Sequence, residues 1–383
     1  MKILIIHNKY QSNNIGGEDI VYKNELKSLQ DELGQDCVFS YEVSNDDINK
    51  IKLIWSIWFS KEHYNKVRQI VKENSIDLVH IHNFFPLLTP SIFKASKISG
   101  AKVIHTLHNY RFWCISGIFF RDNYGVCELC TKNKFSIKGI LNKCYRESFF
   151  QSIVAQFAFW YYHVTKIFDN IDYFFVLTNF QKKKVESLGI NENRIILKPN
   201  SVNILPGFRK DKSGYIYVGR LEESKGIYAL LNIWQKLGEK YVLTIIGHGK
   251  SHKKLKKEYI SPNIIFKGKC SREDTLRYIS QSKYLIQPSL WYETFGLTII
   301  EAMSFGVPVI GLDIGTRGDF IQDGVNGFLS NEENLSEVIE KSFEYGDYNF
   351  LSKHSFAKAK EFENIYITKK QIQLYKKIIE GKV

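Results

Sequence analysis

The sequence predicts an α/β protein built from two Rossmann-like, doubly wound domains. Short apolar runs alternate with longer amphipathic stretches through both halves of the chain, as parallel strands joined by crossover helices require. A length of 383 residues is enough for two separate cores. Between the two alternating sets lies Lys198-Pro-Asn-Ser-Val-Asn-Ile-Leu-Pro-Gly207, whose two prolines and glycine read as a linker.

In the first set, Ile3–Ile6 is a buried strand, followed by a loop carrying Gly16-Gly17 and a helix from Glu18 to Leu33. Further strands are predicted at Cys37–Val43, Leu78–His82, Val103–Leu107 and Tyr173–Leu177. The second set runs from Tyr215 to about Phe343, and Ile365–Ile379 reads as a basic helix. The expected division is a first domain over 1–200 with a cysteine-rich insertion at 112–146, a second over 201–365, and a terminal helix at 366–383.

Candidate site residues cluster where strands give way to helices. In Tyr215-Ile-Tyr-Val-Gly-Arg-Leu-Glu-Glu-Ser-Lys-Gly226 a strand ends at Gly219 and is followed by Arg220 and Lys225 on a turn. Two fixed cations there suit a diphosphate. In Glu293-Thr-Phe-Gly-Leu-Thr-Ile-Ile-Glu301, two carboxylates with seven residues between them follow the strand pattern beginning at Tyr284. Carboxylates at a strand's carboxyl end accept hydrogen bonds from paired hydroxyls, as sugars and riboses offer. The amides of Phe295, Gly296 and Leu297 would open the next helix, where backbone donors face phosphates. Gly247, in Leu243-Thr-Ile-Ile-Gly-His-Gly249, opens another Gly-rich turn. Lys269 follows Gly268, where the backbone can approach something flat such as a base.

Together these residues resemble the retaining glycosyltransferases of family 4, over nearly the whole chain and closely from Pro288 to Gly311. The resemblance implies the GT-B fold, with two Rossmann-like domains facing across a cleft and the terminal helix returning to the first. It implies that Arg220 and Lys225 bind the donor diphosphate, Glu301 the ribose hydroxyls and Glu293 the transferred sugar. Transfer would be hexosyl transfer with retention and without an enzyme nucleophile. Arg220 and Lys225 would make a catalytic magnesium or manganese unnecessary. Gly16-Gly17 permits either an ordinary tight turn or approach to an anion; the resemblance favours the donor phosphate and acceptor. His108, in Thr106-Leu-His-Asn-Tyr-Arg111, would stand in the cleft beside the donor sugar. One segment departs from the family pattern: Gly315-Thr-Arg-Gly-Asp319 stands where many members carry Gly-Gly and then a Glu. Family frequency makes a UDP-sugar the first donor to test, with a glycan or lipid-linked acceptor in cell-surface polysaccharide synthesis. Two other classes remain: a sugar-nucleotide isomerase on the same architecture, and a catalytically silent scaffold that binds nucleotide sugars.

The rest of the chain bounds the partners. Net charge is +13, and residues 51–150 hold 15 Lys/Arg against 6 Asp/Glu, whereas 301–350 hold 2 against 10. A basic first half could face an anionic acceptor or membrane. No nucleic-acid-binding signature is present, so nucleic acid is set aside. Met1-Lys-Ile-Leu-Ile-Ile-His7 is too short for a signal peptide, and the longest uncharged run, Ser148–Thr165, is broken by polar residues, so a cytoplasmic protein is expected. Ile54-Trp-Ser-Ile-Trp-Phe59, beside Lys61, Lys66 and Arg68, and the aromatic run Phe149–Tyr162 fit either core helices or peripheral contact with the inner face of a membrane. Cys114, Cys127, Cys130 and Cys144 crowd one segment, with Cys127-Glu-Leu-Cys130 a C-x2-C pair. In a cytosolic chain this suggests a structural zinc site, against four reduced, buried thiols.

Overall fold

A computed structural model describes residues 1–11, 16–204 and 211–383. Leu205, Pro206 and Gly207 of the expected linker, and residues 12–15 of the first glycine loop, lie outside the described residues. The chain forms two compact units. One comprises Met1–Ile118, Glu128–Ser201 and Ile365–Val383; the other comprises Phe119–Cys127 and Val202–Asn364.

The strands in chain order are β1 (Ile3–Lys9), β2 (Val38–Ser44), β3 (Leu78–Asn83), β4 (Lys102–Thr106), β5 (Phe120–Arg121), β6 (Gly125–Val126), β7 (Tyr173–Val176) and β8 (Ile195–Leu197). They continue with β9 (Tyr215–Val218), β10 (Leu243–Ile246), β11 (Ile264–Gly268), β12 (Tyr284–Gln287), β13 (Val309–Leu312) and β14 (Gly327–Ser330). The first unit holds a sheet in the order β2-β1-β3-β4-β7-β8, and the second a sheet in the order β11-β10-β9-β12-β13-β14. All pairings within these two sheets are parallel, whereas β5 and β6 form a small antiparallel hairpin. Each sheet therefore reverses strand order once, at β1/β3 and at β9/β12. Ligands of open α/β sheets bind beyond the carboxyl ends of the strands at such points.

The strands form where the sequence is apolar on both faces, as a parallel sheet covered by helices demands. Ile3, Leu4, Ile5 and Ile6 have no exposed surface. In the first unit, Ile3, Ile5, Tyr22, Leu78, Ile104 and Phe175 pack with Ile372, Tyr375 and Ile378 of the helix Asn364–Ile379. In the second, Tyr215, Tyr217, Leu230, Trp234 and Leu243 form the core, with the Trp234 indole donating to the Tyr241 carbonyl at 2.8 Å.

Buried polar groups need partners, and the first unit supplies them in one network. Glu25 is ion-paired to Lys198, lies 3.1 Å from both His80 Nδ1 and His82 Nε2, and accepts from Gln371 Nε2 at 2.6 Å. His80 also shares hydrogen bonds of 2.6 Å with the hydroxyls of Tyr375 and Thr106. Glu25, His80 and His82 are close enough to hold an ion. With Lys198 on the carboxylate and both nitrogens of each ring engaged, they form a satisfied polar core instead.

Candidate active site

At the β9/β12 reversal of the second unit, backbone approach fixes the geometry. Beyond β9 the chain makes a 3-10 turn, Glu223–Lys225, and enters the helix Ile227–Trp234 through Gly226 at φ +69. A Cβ at Gly226 would stand 1.9 Å from the Pro288 carbonyl oxygen beyond β12. Only glycine lets the two segments meet there, and the contact holds Lys225 against the residues that follow β12. Gly247, at φ +141, plays a similar part: a Cβ on it would be 1.9 Å from the Gly219 carbonyl oxygen. The structure thus gives Gly219 and Gly247 a packing role.

Lys225 Nζ reaches Glu293 Oε1 at 2.6 Å and lies 4.9 Å from the centre of the Trp291 ring. Ser289 Oγ donates to the same carboxylate oxygen at 2.8 Å. Burial alone would raise the Glu293 carboxyl, but Lys225 and then Arg317 outweigh it and hold it below the usual carboxylate range. Arg317 belongs to the departing segment Gly315–Asp319 and is wholly buried. It donates to the Leu312 carbonyl at 2.6 Å and the Ser289 carbonyl at 2.7 Å, while its NH1 finds no partner among the described residues. Burial lowers its own pKa to about 10, with Glu293 opposing the shift. The segment that departs from the family pattern therefore places a buried cation behind the sugar-binding candidate.

Glu301 lies on the helix Leu297–Ser304, which opens at Gly296 in the left-handed region (φ +81). Arg272 meets its carboxylate at 2.6 Å. Here burial dominates, and the Glu301 carboxyl is pushed above the usual range despite Arg272. The Phe295 ring packs in the core against Phe320 and Phe362, so this residue can face a ligand with its amide only. Arg220 is about half exposed and pairs with Glu222 at 2.9 Å. Lys269 is exposed and follows β11 at the sheet's edge.

In the first unit, Gly16 caps the helix Gly17–Leu33, its N–H donating to Asp19 at 3.0 Å, and Asp19 meets His7 at 2.8 Å. His108 stacks on His82, ring centres 5.1 Å apart, with 2.9 Å between Nε2 of His108 and Nδ1 of His82. Burial first, and then His82, holds His108 well below its usual range, so it is a neutral imidazole. Of the four clustered cysteines, Cys127 belongs to the second unit and Cys114, Cys130 and Cys144 to the first. Cys114, Cys130 and Cys144 do not bring three ligand atoms within 4.8 Å of one another, so a shared zinc ion gains no support from this geometry.

Sequence reading had missed Ser289, Arg272 and Arg317. It also missed the buried network of Glu25, His80, His82 and Lys198. The two arginines stand close to motifs that had been read, but nothing in their spacing announces a carboxylate partner.

Two parallel α/β units, each with one strand-order reversal, and a lysine and a carboxylate joined at the reversal of the second, are the architecture of a glycosyltransferase fold. Comparison with known proteins agrees. Residues 206–346 match the family model of glycosyl transferases group 1, and residues 32–204 match that of glycosyltransferase family 4. The chain belongs to the family 4-like GT-B glycosyltransferases. An uncharacterized 41.2 kDa protein in the cps region of Klebsiella pneumoniae is 26% identical over 88% of this chain and 84% of its own length. An uncharacterized glycosyltransferase of Methanocaldococcus jannaschii is 25% identical over 96% and 95%. Among solved structures, a lipopolysaccharide outer core galactosyltransferase superposes with a TM-score of 0.66 at 20% identity, over 100% of both chains. An Anabaena protein solved with UDP and glucose gives 0.65 at 16% identity, over 98% of this chain and 99% of its own.

Proposed function

We propose that the chain is a retaining hexosyltransferase that moves a sugar from a nucleotide diphosphate donor, UDP-linked in the first instance, to a hydroxyl of a glycan or lipid-linked acceptor in cell-surface polysaccharide synthesis. The Lys225–Glu293 contact at the β9/β12 reversal carries this reading. The relatives that bind UDP or act on lipopolysaccharide support it.

In this reading the bond from the anomeric carbon to the donor phosphate breaks, and the electron pair leaves with the nucleoside diphosphate. The acceptor oxygen attacks from the same face and passes its proton to the departing phosphate oxygen. Arg220, Lys225 and the amides opening the helix at Gly296 stabilise the charge that develops on the leaving group, the largest single task of such a site. These cations supply charge that a divalent metal would otherwise bring. Glu293 orients the transferred sugar, Glu301 holds the ribose, and neutral His108 offers a hydrogen bond beside the donor sugar. Gly16 and Lys269 complete the donor contacts at the glycine loop and the base.

The reading extends to peripheral contact, from the cytoplasmic side, with an anionic membrane surface. No helix among the described residues is long and apolar enough to cross a membrane. Trp55, Ile51 and Phe150 are nonetheless at least three-quarters exposed, on two helices, and Trp58, just beyond the first, meets Tyr161 of the second edge-on. Basic residues Lys52, Lys61 and Lys143 accompany them in sequence. Zinc on Cys114, Cys127, Cys130 and Cys144 stays outside this reading, and elemental analysis of the purified chain decides it.

The test is incubation with a panel of nucleotide sugars, following nucleoside diphosphate release. A transferase releases it in an acceptor-dependent manner. An isomerase converts the donor without release, and a scaffold does neither.

A further inference from the structure

The first unit contains a pocket of about 160 Å3, at the carboxyl ends of its sheet. Tyr10 follows β1, Asn45 follows β2, and Asn83 ends β3; all three line it. Arg111, from the segment beyond β4, and Tyr145-Arg146 close the far side. The space admits several waters, or a phosphate or carboxylate with part of what carries it.

Its chemistry is one-sided. The lining holds two guanidiniums and neither Asp nor Glu. Both guanidiniums gather on one ring, Arg111 at 5.7 Å and Arg146 at 5.4 Å from the centre of Tyr145. Arg111 is steadied by donating NH1 to the Ile115 carbonyl at 2.9 Å and by lying 5.3 Å from the Phe85 ring. Among the described residues neither arginine meets a carboxylate at ion-pair distance. Asn45 spends its Oδ1 accepting from Asn8 Nδ2 at 2.9 Å, which leaves its own Nδ2 to donate. Glu18 accepts from the hydroxyl of the lining Tyr10 at 3.0 Å and feels the charge of Arg111 without forming an ion pair with it. Burial pushes the Glu18 carboxyl up to about 8, so it brings little negative charge at neutral pH. Two cations drawn to one ring without an ion-pair partner repel each other, and an anion between them relieves that cost.

We propose that this pocket, within the glycosyltransferase reading on which it rests, receives the acceptor through an anionic group, phosphate or carboxylate, clasped by Arg111 and Arg146 and hydrogen-bonded by Asn45. The planar forks of the two arginines match either oxyanion, and the part-buried Tyr145 ring, with buried Phe85 also lining the pocket, offers apolar surface to the part that bears it. The acceptor class is thus acidic: a saccharide carrying a carboxylate, or one linked to lipid through phosphate.

Saturation-transfer NMR with glucuronate, glucose 6-phosphate and neutral glucose tests the shared chemistry. Both charged probes should bind at least about tenfold better than glucose, as expected for charge-assisted bonds to two arginines. Arg111→Gln with Arg146→Gln should abolish that preference. Lys225→Ala should keep it, which separates this pocket from the donor site. If the double variant fails to fold, Asn45→Asp, which adds a negative charge to the lining, should weaken both charged probes instead. Sedimentation with phosphatidylcholine vesicles carrying a polyprenyl phosphate distinguishes the sources. Recruitment that needs both arginines assigns a lipid-linked phosphate, and glucuronate binding without recruitment assigns an acidic sugar. Equal binding of glucose, or charged probes that ignore the arginines, overturns the proposal. A UDP thermal shift measured on the same samples reports the donor reading separately, so failure of one is not mistaken for failure of the other.

Discussion

The ammonium of Lys225 and the carboxylate of Glu293 meet at 2.6 Å although 68 residues separate them in the chain. On the proposed function, a donor diphosphate would compete with Glu293 for Lys225, and the transferred sugar would take over the carboxylate that Lys225 releases.

Lys225→Ala should cut turnover by at least about a hundredfold, the scale for one preorganised stabiliser of transition-state charge. Arg220→Ala should do the same without disturbing Glu293. Near-normal turnover in either variant, with native circular dichroism, would remove the diphosphate assignment.

The pH dependence of Lys225→Ala follows from Glu293. Its carboxyl is depressed in the folded state, so the stability it contributes is present above the unfolded value near 4.5 and is lost as pH falls through the lower folded value. Removing Lys225 removes the strongest charge opposing that burial, so urea midpoints of the variant should fall less steeply below pH 4.5 than those of the parent.

Glu301 should behave in the opposite way. Its carboxyl is raised in the fold, so the folded state holds a proton the unfolded chain has lost, and stability declines as pH rises from about 4.5 through the folded value. Glu301→Gln should flatten that decline and leave the protein as stable as before or more so. It should nevertheless weaken nucleoside diphosphate binding, whereas Glu293→Ala should weaken only the intact nucleotide sugar. Calorimetry with both ligands checks the division; equal losses in the two variants would contradict it.

Gly226→Ala asks a Cβ to occupy space 1.9 Å from the Pro288 carbonyl at a left-handed φ. The strain should cost about 2 kcal/mol or more, since both backbone conformation and packing are violated. Activity should fall with it because Lys225 is the preceding residue. Thermal melts and turnover measured side by side would show both.

Much of this was legible in the sequence, for identifiable reasons. Buried parallel strands declare themselves as apolar runs, and Lys225, Glu293 and Glu301 follow such runs. Glu25 is a different case. Its partners Lys198 and Gln371 lie 173 and 346 residues away, and no local period reports a hydrogen bond over that distance. Arg317 looks like an ordinary charged residue in its segment, and only the fold turns it inward against Ser289 and Leu312. The cysteine spacing was conspicuous, but spacing along a chain does not set the distance between sulfurs.

The helix Asn364–Ile379 supplies Ile372, Tyr375 and Ile378 to the first unit's core, and Gln371 to the buried Glu25. On the ribosome this inverts the usual order of events. The amino-terminal sheet emerges early, yet its core lacks Ile372, Tyr375 and Ile378, and Glu25 lacks Gln371, until the helix Asn364–Ile379 has been made. The second unit, complete at Asn364, can close first. A nascent chain stalled before the helix Asn364–Ile379 would be half an enzyme, with the later-made half able to fold and the earlier-made half still open to proteases.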